Sequence, residues 1–451
     1  MKRLLVIAGF VVAAGTSTAT AQPCDPGGEL VEVTEYSGRQ HYHLALAAGA
    51  GEALVGWAPE GPNGDVPREF TMSRVAADGS TSSIRVPFLG HAAIVGTPPM
   101  TSSGTTAMHT WGVGGVGVML REPDGAERAP IHLDDYRSYG DSVVRARFDG
   151  THFVVTWVAG PPEASVLKAV RFDPDGVQLD ATPLVLGPAF AYKPWAASTR
   201  IGDVTWVMWS TFTSSDAEFV SGTNPDLVGV RIADDGRLLD ATPVVLVPGA
   251  RGVALAANGD TALLLVMAPD GGFDMSTIDR DGVVTPGGHL ALADDEFLLE
   301  LLAAPGGDGF TAWTTHPVNT GTPIHAEDEV AARPISRTGV AAAAPSLTLA
   351  GQAWAISTDG RDYLLLAVEE TVAGATGEER LTLRRFRGGT FTPVTVGTTL
   401  VAAPLTLTTT QFCSGPYEPN DGCQAGGPAG AGTMGLIGLG LLALCRRPRR
   451  R

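Results

Sequence analysis

From residue 29 to 411 the chain reads as short stretches of alternating apolar and polar residues, broken by Gly, Pro and Asp, and no window carries the 3.6 periodicity of an amphipathic helix. The pattern predicts strands paired as hairpins. The plainest pair runs through residues 143–148 (VVRARF), turns at Asp149-Gly150 and returns as residues 153–157 (FVVTW). Asp-Gly between alternating runs is a strong hairpin signal, because the turn needs a positive φ that glycine adopts without steric cost.

The alternation is organised as a repeat. Residues 170–186 (VRFDPDGVQLDATPLVL) return sixty positions later as residues 230–246 (VRIADDGRLLDATPVVL). Weaker copies carry Asp78-Gly79, Asp124-Gly125 and Asp281-Gly282, and Thr338-Gly339 and Gly388-Gly389 fill the slot in two degenerate copies. The hairpin-turn glycines are therefore Gly79, Gly125, Gly176, Gly236, Gly282, Gly339 and Gly389, with spacings of 46, 51, 60, 46, 57 and 50. An upstream strand ends each time in a large or apolar residue: Trp57, Trp111, Trp157, Trp209, Met267, Trp313 and Val368.

Seven units of four short strands predict an all-β fold, a β-propeller of seven four-stranded blades with the tryptophans packed between blades. The repeats resemble the degenerate fifty-residue propeller repeats of large secreted bacterial proteins. Residues 29–36 and 404–410 are spare strands at the two ends, paired in one blade or lying beside neighbouring blades. Because they would supply a further blade, six or eight blades stay open as alternatives.

The ends of the chain differ from its body. Lys2 and Arg3 precede an apolar run over residues 4–14, and Ala19-Thr20-Ala21 presents small residues where a signal peptidase reads them. Residues 1–21 read as a signal peptide, residues 22–411 as the repeat domain, residues 412–428 as a linker, and residues 429–451 as a short hydrophobic helix with a terminal arginine cluster. About 17 apolar residues are at the lower limit for crossing a bilayer. The arginines would stay on the cytoplasmic side.

The order Cys423, Gly426-Gly427-Pro428, a Leu/Gly helix and a terminal Arg run resembles the MYXO-CTERM sorting domain of myxobacterial surface proteins, as does the lead-in Glu418-Pro419-Asn420-Asp421-Gly422. The resemblance implies that Cys423 is the processing and anchoring residue, that a sorting protease removes the tail, and that Cys445 leaves with it. A retained membrane anchor is the alternative. Either way the expected location is the cell envelope or outer surface, with the membrane met through the C-terminal segment only. With Cys423 given to anchoring, Cys24 and Cys413 remain as a pair, and an exported chain permits a disulfide between them.

Removing both basic leaders leaves 24 Lys/Arg against 48 Asp/Glu, a net charge of −24 in place of −17. Such a polyanion is a poor host for nucleic acid, which demands clustered Lys/Arg. No His-Glu-x-x-His, paired-Cys, nucleophile-elbow or phosphate-loop motif is present. His41 and His43 share one face of a strand, without an indicated third ligand.

The turns Asp173-Pro174-Asp175-Gly176, Asp234-Asp235-Gly236 and Asp279-Arg280-Asp281-Gly282 offer oxygens to calcium, but the closing Glu of an EF-hand loop is absent and hairpin tips use Asp-Gly anyway. The expectation is no cofactor, with calcium as the alternative. Two insertions, residues 213–226 and the segment around His316 and His325-Ala326-Glu327-Asp328-Glu329, read as solvated loops and as places where binding residues sit. The expected function is a non-catalytic, surface-anchored propeller that binds an extracellular protein or glycan. The alternative is a hydrolase of extracellular polysaccharide using paired Asp/Glu near the central channel.

Overall fold

The computed structural model describes residues 31–32, 42–49, 52–59, 69–76, 81–87, 100–111, 115–122, 126, 128–135, 144–161, 164–189, 195–211, 226–269, 271–319, 326–350, 352–370, 379–388, 391, 399–400 and 408–409. Among them there is no α-helix. Sheet 1 contains β2 (Tyr42–Gly49), β3 (Glu52–Pro59), β4 (Glu69–Ala76) and β5 (Thr81–Pro87); sheet 2 contains β6 (Met100–Ser102), β7 (Ala107–Trp111), β8 (Val116–Arg121) and β9 (Ile131–Asp134). Sheet 3 contains β10 (Arg145–Phe148), β11 (Phe153–Ala159), β12 (Val166–Phe172) and β13 (Leu184–Pro188); sheet 4 contains β14 (Ala196–Ile201), β15 (Val204–Thr211), β16 (Asp226–Ile232) and β17 (Val244–Val247). Sheet 5 contains β18 (Gly252–Asn258), β19 (Thr261–Met267), β20 (Phe273–Asp279) and β21 (Val284–Leu290). Sheet 6 contains β22 (Phe297–Ala303), β23 (Gly309–Asn319), β24 (Ala326–Ser336) and β25 (Leu347–Ala350), and sheet 7 contains β26 (Gln352–Thr358), β27 (Asp362–Glu370), β28 (Glu379–Arg387) and β29 (Thr399–Leu400).

Every sheet is an antiparallel meander in chain order. The first strand of each sheet neighbours the first strand of the next, and β26 neighbours β2, so the seven sheets close into a ring around their first strands. The protein is a seven-bladed β-propeller.

Second strands carry the load, because both of their faces are covered. In β11, Phe153, Val155, Trp157 and Ala159 enter the core shared with sheet 2, while Val154 and Val158 enter the core shared with sheet 4. Period-two alternation thus becomes two interfaces from one strand, each large side chain contributing about 1.5–3 kcal/mol on burial. Similar cores join sheets 4 and 5, 5 and 6, and 6 and 7. The closing core sets Ala53, Val55 and Val75 of sheet 1 against Leu364, Leu366 and Leu383 of sheet 7.

Trp157 and Trp209 occupy the same register, four residues along from the partners of Phe172 and Ile232. Met267 and Trp313 do not. The residue four along from the partner of Ile278 is Val266, and from that of Ile335 it is Thr314. A one-residue offset moves a side chain to the other face of its strand. Trp313 accordingly packs between sheets 6 and 7, and Met267 is half exposed at 50%. Recurrence along the sequence therefore does not give these residues one common register. Trp57, Trp111 and Val368 lie on β3, β7 and β27.

The spare strands are short and pair with each other. In the ladder between β1 (Val31–Glu32) and β30 (Thr408–Thr409), Val31 faces Thr409 and Glu32 faces Thr408. This ladder belongs to a different unit from Glu35–Thr406, and among the described residues it forms a two-stranded sheet and not an eighth blade. No helix among the described residues is long and apolar enough to cross a membrane. The signal segment and the C-terminal hydrophobic segment lie outside the described residues, as do Cys24, Cys413 and Cys423.

Candidate functional site

Antiparallel order sends the connections between strands 1 and 2 and between strands 3 and 4 of every sheet to one end of the ring, and the other connections to the opposite end. The first end is built from tight, self-satisfied turns. Gly176, Gly236, Gly282 and Gly339 all have φ between 74° and 89°, as the Asp-Gly pattern requires. Gly79, Gly125 and Gly389 lie outside the described residues. Three of these turns are followed by single bridges, Phe172 to Gln178, Ile232 to Leu238 and Ile335 to Ala341, before the outer strands begin. They are therefore wider than two-residue hairpins.

Asp173, Asp235 and Asp279 of these turns bind backbone. Asp173 Oδ1 accepts the Val177 N–H at 2.7 Å, Asp235 Oδ1 the Arg237 N–H at 2.9 Å, and Asp279 Oδ1 those of Asp281 and Val283, both at 2.9 Å. Oxygens spent in this way close the turn. Among the described residues no three His, Cys, Asp or Glu side chains gather as metal ligands.

Arginines tie three of these turns to the sheet before them. Arg128 Nη1 donates to Asp175 O at 2.5 Å, Arg171 Nη1 to Ala233 O at 3.0 Å and Asp234 O at 2.9 Å, and Arg231 Nη1 to Asp281 O at 3.5 Å.

The opposite face is different. It carries the connection over residues 212–225, which lies outside the described residues, and the long hairpin of β23 and β24. Residues 326–329, read from the sequence as loop, are strand. Asn319 faces Ala326, Val318 Glu327, Pro317 Asp328 and His316 Glu329, so the insertion of sheet 6 is a two-stranded ribbon and not a solvated loop. His325 lies outside the described residues, and His316 Nδ1 stands 2.7 Å from Asp295 Oδ1. From neighbouring sheets, Met267 and Phe297 leave 50% and 60% of their surface exposed on this same face. His43 sits on β2 opposite Ala58, and His41 lies outside the described residues.

The centre of the ring holds three charged side chains that sequence reasoning did not single out. Arg145 and Arg147 alternate along β10 with Ala146 and Phe148, which pack against sheet 2. Arg147 Nη1 donates at 2.9 Å to the carbonyl of Leu255 on β18, two sheets further round. Glu300 belongs to β22, three sheets from Arg145 and as far round the ring as a sheet can be, yet it feels the charges of both Arg147 and Arg145. Groups on opposite sides of a ring meet only at its axis.

A bulge puts Glu300 there. Leu298 pairs with Thr314 and Glu300 with Trp313, which leaves Leu299 as the extra residue. Leu299 joins the core between sheets 6 and 7, and Leu298 and Leu301 pack toward sheet 5. Burial pushes the Glu300 carboxyl above the ordinary carboxylate range, against the pull of Arg147 and Arg145. Burial likewise lowers the Arg145 guanidinium, with Glu300 opposing. The signal available beforehand was a lone carboxylate inside the run FLLELLA and two arginines spaced i, i+2 on a first strand.

No family model matches the chain, and no curated protein sequence does. Solved structures resemble it at low identity. Prolyl oligopeptidase B from Galerina marginata is 12% identical over 83% of this chain and 51% of that one, with a TM-score of 0.46. The β-propeller domain of the Trilobed protease from Pyrococcus furiosus is 11% identical over 76% and 95%, with a TM-score of 0.44. A putative 6-phosphogluconolactonase from Bacteroides fragilis is 12% identical over 79% and 93%, with a TM-score of 0.44. The chain spans about half the length of the prolyl peptidases it matches, 49% and 51%. At such distances no activity carries over to this chain.

Proposed function

We propose that this protein is an exported, surface-anchored β-propeller that performs no chemistry itself and binds an extracellular protein or glycan through the face bearing the 212–225 connection and the β23/β24 ribbon. The observation that carries the reading is the asymmetry of the two faces. One has described turns closed by carboxylate caps and arginine ties, whereas the other bears the β23/β24 ribbon, a pair of eleven-residue strands. Rigid sheets under long connections are the usual platform for recognition.

Export and anchoring follow from the two ends of the chain. The N-terminal segment has the form of a signal peptide, and the C-terminal order of Cys423, spacer, helix and arginines resembles the MYXO-CTERM signal. In this reading a sorting protease acts at that segment, and Cys423 holds the product at the surface.

Two measurements test the proposal. Replacing residues 212–225 with a short Gly-Ser connection should abolish capture of envelope polysaccharide or surface protein while leaving the thermal transition in place. Unchanged capture overturns the assignment of the face. Release of reducing ends from polysaccharide by the purified chain overturns the non-catalytic reading in favour of hydrolysis. For the anchor, Cys423→Ser should send the protein into the medium, and full surface retention overturns the role of that cysteine.

A further inference from the structure

We propose that the centre of the ring is a binding site for a small hydroxyl-bearing carboxylate, whose carboxylate is taken by the Arg145 guanidinium and whose hydroxyl is taken by Glu300. Arg145 and Arg147 are two apart on the first strand of sheet 3, so they share a face, and their neighbours Ala146 and Phe148 take the opposite one. Arg147 spends one nitrogen on the Leu255 carbonyl and thereby crosses the interior toward sheet 5. Among the described residues Arg145 has no hydrogen-bond or ion-pair partner of its own. Its side chain is exposed, and partial loss of water around it lowers its pKa, with Glu300 opposing.

The charge balance at the axis favours an anion. Among the described residues two guanidiniums act on one carboxyl there, and burial raises the pKa of that carboxyl. An arginine remains charged under these conditions. A guanidinium fork that no side chain hydrogen-bonds can take a matched carboxylate through two parallel N–H···O bonds. Glu300 is directed to the axis by a bulge that separates it from its apolar neighbours Leu299 and Leu301. Bulges of this kind re-aim side chains at sites. A carboxyl that is neutral or ionised accepts a ligand hydroxyl equally, which is why the ligand class carries both groups.

The experiment is calorimetric titration of the purified full chain with D-glucuronate, and with D-glucose as the counterpart lacking the charge. Glucuronate should bind and glucose should not. Arg145→Gln should weaken glucuronate at least about tenfold, and Arg145→Lys should weaken it less. Binding should weaken as pH rises through the elevated pKa of Glu300, because the ionised carboxylate competes with the ligand for Arg147 and Arg145, the charged groups that face it. Glu300→Gln should remove that dependence.

If Arg145→Gln fails to fold, phenylglyoxal modification of the unaltered chain replaces it. Glucuronate, but not glucose, should protect Arg145 in the peptide map. Equal affinity of Arg145→Gln and the unaltered chain, equal protection by glucose, or no heat with glucuronate up to about 20 mM overturns the site.

Discussion

Arg171 holds Asp180 with two prongs, Nη2 to Oδ1 at 2.8 Å and Nε to Oδ2 at 3.1 Å, and the Arg171 backbone N–H adds a third bond to Oδ2 at 2.8 Å. The same guanidinium reaches the turn of the next sheet through Ala233 O and Asp234 O. The second copy of the repeat rebuilds the pair as Arg231 and Asp240, with Nη2 to Oδ1 at 2.7 Å. An internal match of seventeen residues thus corresponds to one device, an ion pair that shapes the bend before the outer strand and ties its sheet to the neighbour. Asp180→Ala leaves Arg171, whose side chain is 3% exposed, as an unpaired buried charge, and should cost about 3–5 kcal/mol in urea denaturation. Asp240→Ala should cost less, because the Arg231 side chain is 25% exposed and water substitutes for its partner.

Gly236 is needed twice over. Its φ of 89° belongs to the left-handed region, and a Cβ there would stand 2.3 Å from Arg171 Nη2 and 2.9 Å from Asp180 Oδ1. Gly150, with φ 98°, has nothing within 4 Å of the same position. Gly150→Ala should therefore show backbone strain alone, about 1–2 kcal/mol. Gly236→Ala should exceed that value by displacing the Arg171–Asp180 pair, and equal costs for the two variants in matched denaturation curves would refute the contact argument.

Acid should destabilise the ring in two stages. Burial, with Arg121 adding, lowers His109 from 6.5 to about 4, so the unfolded chain takes up a proton that the folded chain resists. Stability is complete above pH 6.5 and falls as pH drops toward 4, by up to about 3 kcal/mol. Burial alone would raise Asp240, but the hydrogen bonds from the Arg231 side chain and backbone outweigh it and hold the carboxyl below its ordinary 3.8. Its contribution is present above that pH and disappears as pH falls through the lower, folded value. Urea midpoints across the range should flatten between 6.5 and 4 in His109→Gln and below 4 in Asp240→Asn.

The architecture was legible because local chemistry announces it. Asp-Gly turns, two-residue alternation and a recurring large apolar residue each follow from short-range rules, and seven copies of this pattern, some degenerate, leave few folds to choose from. Register was less legible. Spacing in sequence places Met267 and Trp313 beside Trp157 and Trp209, but pairing decides the face, and their hairpins shift the position by one. The ring centre was the hardest part to read. Arg145, Arg147 and Glu300 are separated by up to 155 positions, and only closure of the ring brings them within electrostatic reach. Bulges at Leu298/Glu300 and at the matching first strands of sheets 5 and 7 have no sequence signature short of the structure.

The β1/β30 ladder joins segments that lie seven residues after Cys24 and four before Cys413, through Val31 and Thr409. Two strands of two residues are too short to hold by themselves. A Cys24–Cys413 disulfide would secure them, and closure of so long a loop is worth about 4–5 kcal/mol at most. Peptide mapping of the exported protein without reduction should recover the cross-linked pair, and Cys24→Ser should lower the unfolding temperature as much as reduction does. Two free thiols in the exported protein would refute the pairing.

Trp209 and Trp313 are both fully buried, but the face each takes decides what its indole nitrogen meets. Trp209 Nε1 donates to Pro188 O at 2.8 Å, whereas Trp313 Nε1, on the opposite face of its strand, has no hydrogen-bond partner. Trp313 instead sits against Tyr363 and Phe391, with ring centroids 5.3 and 6.1 Å away and both contacts edge-on. Replacing either tryptophan with phenylalanine removes similar volume and opens a similar cavity. Only Trp209→Phe also strands a carbonyl, while Trp313→Phe removes a donor that was already unsatisfied. Trp209→Phe should therefore lose about 1–2 kcal/mol more than Trp313→Phe in urea denaturation. A Trp313→Phe cost equal to or larger than that of Trp209→Phe would show that the aromatic contacts of Trp313 outweigh its orphaned nitrogen.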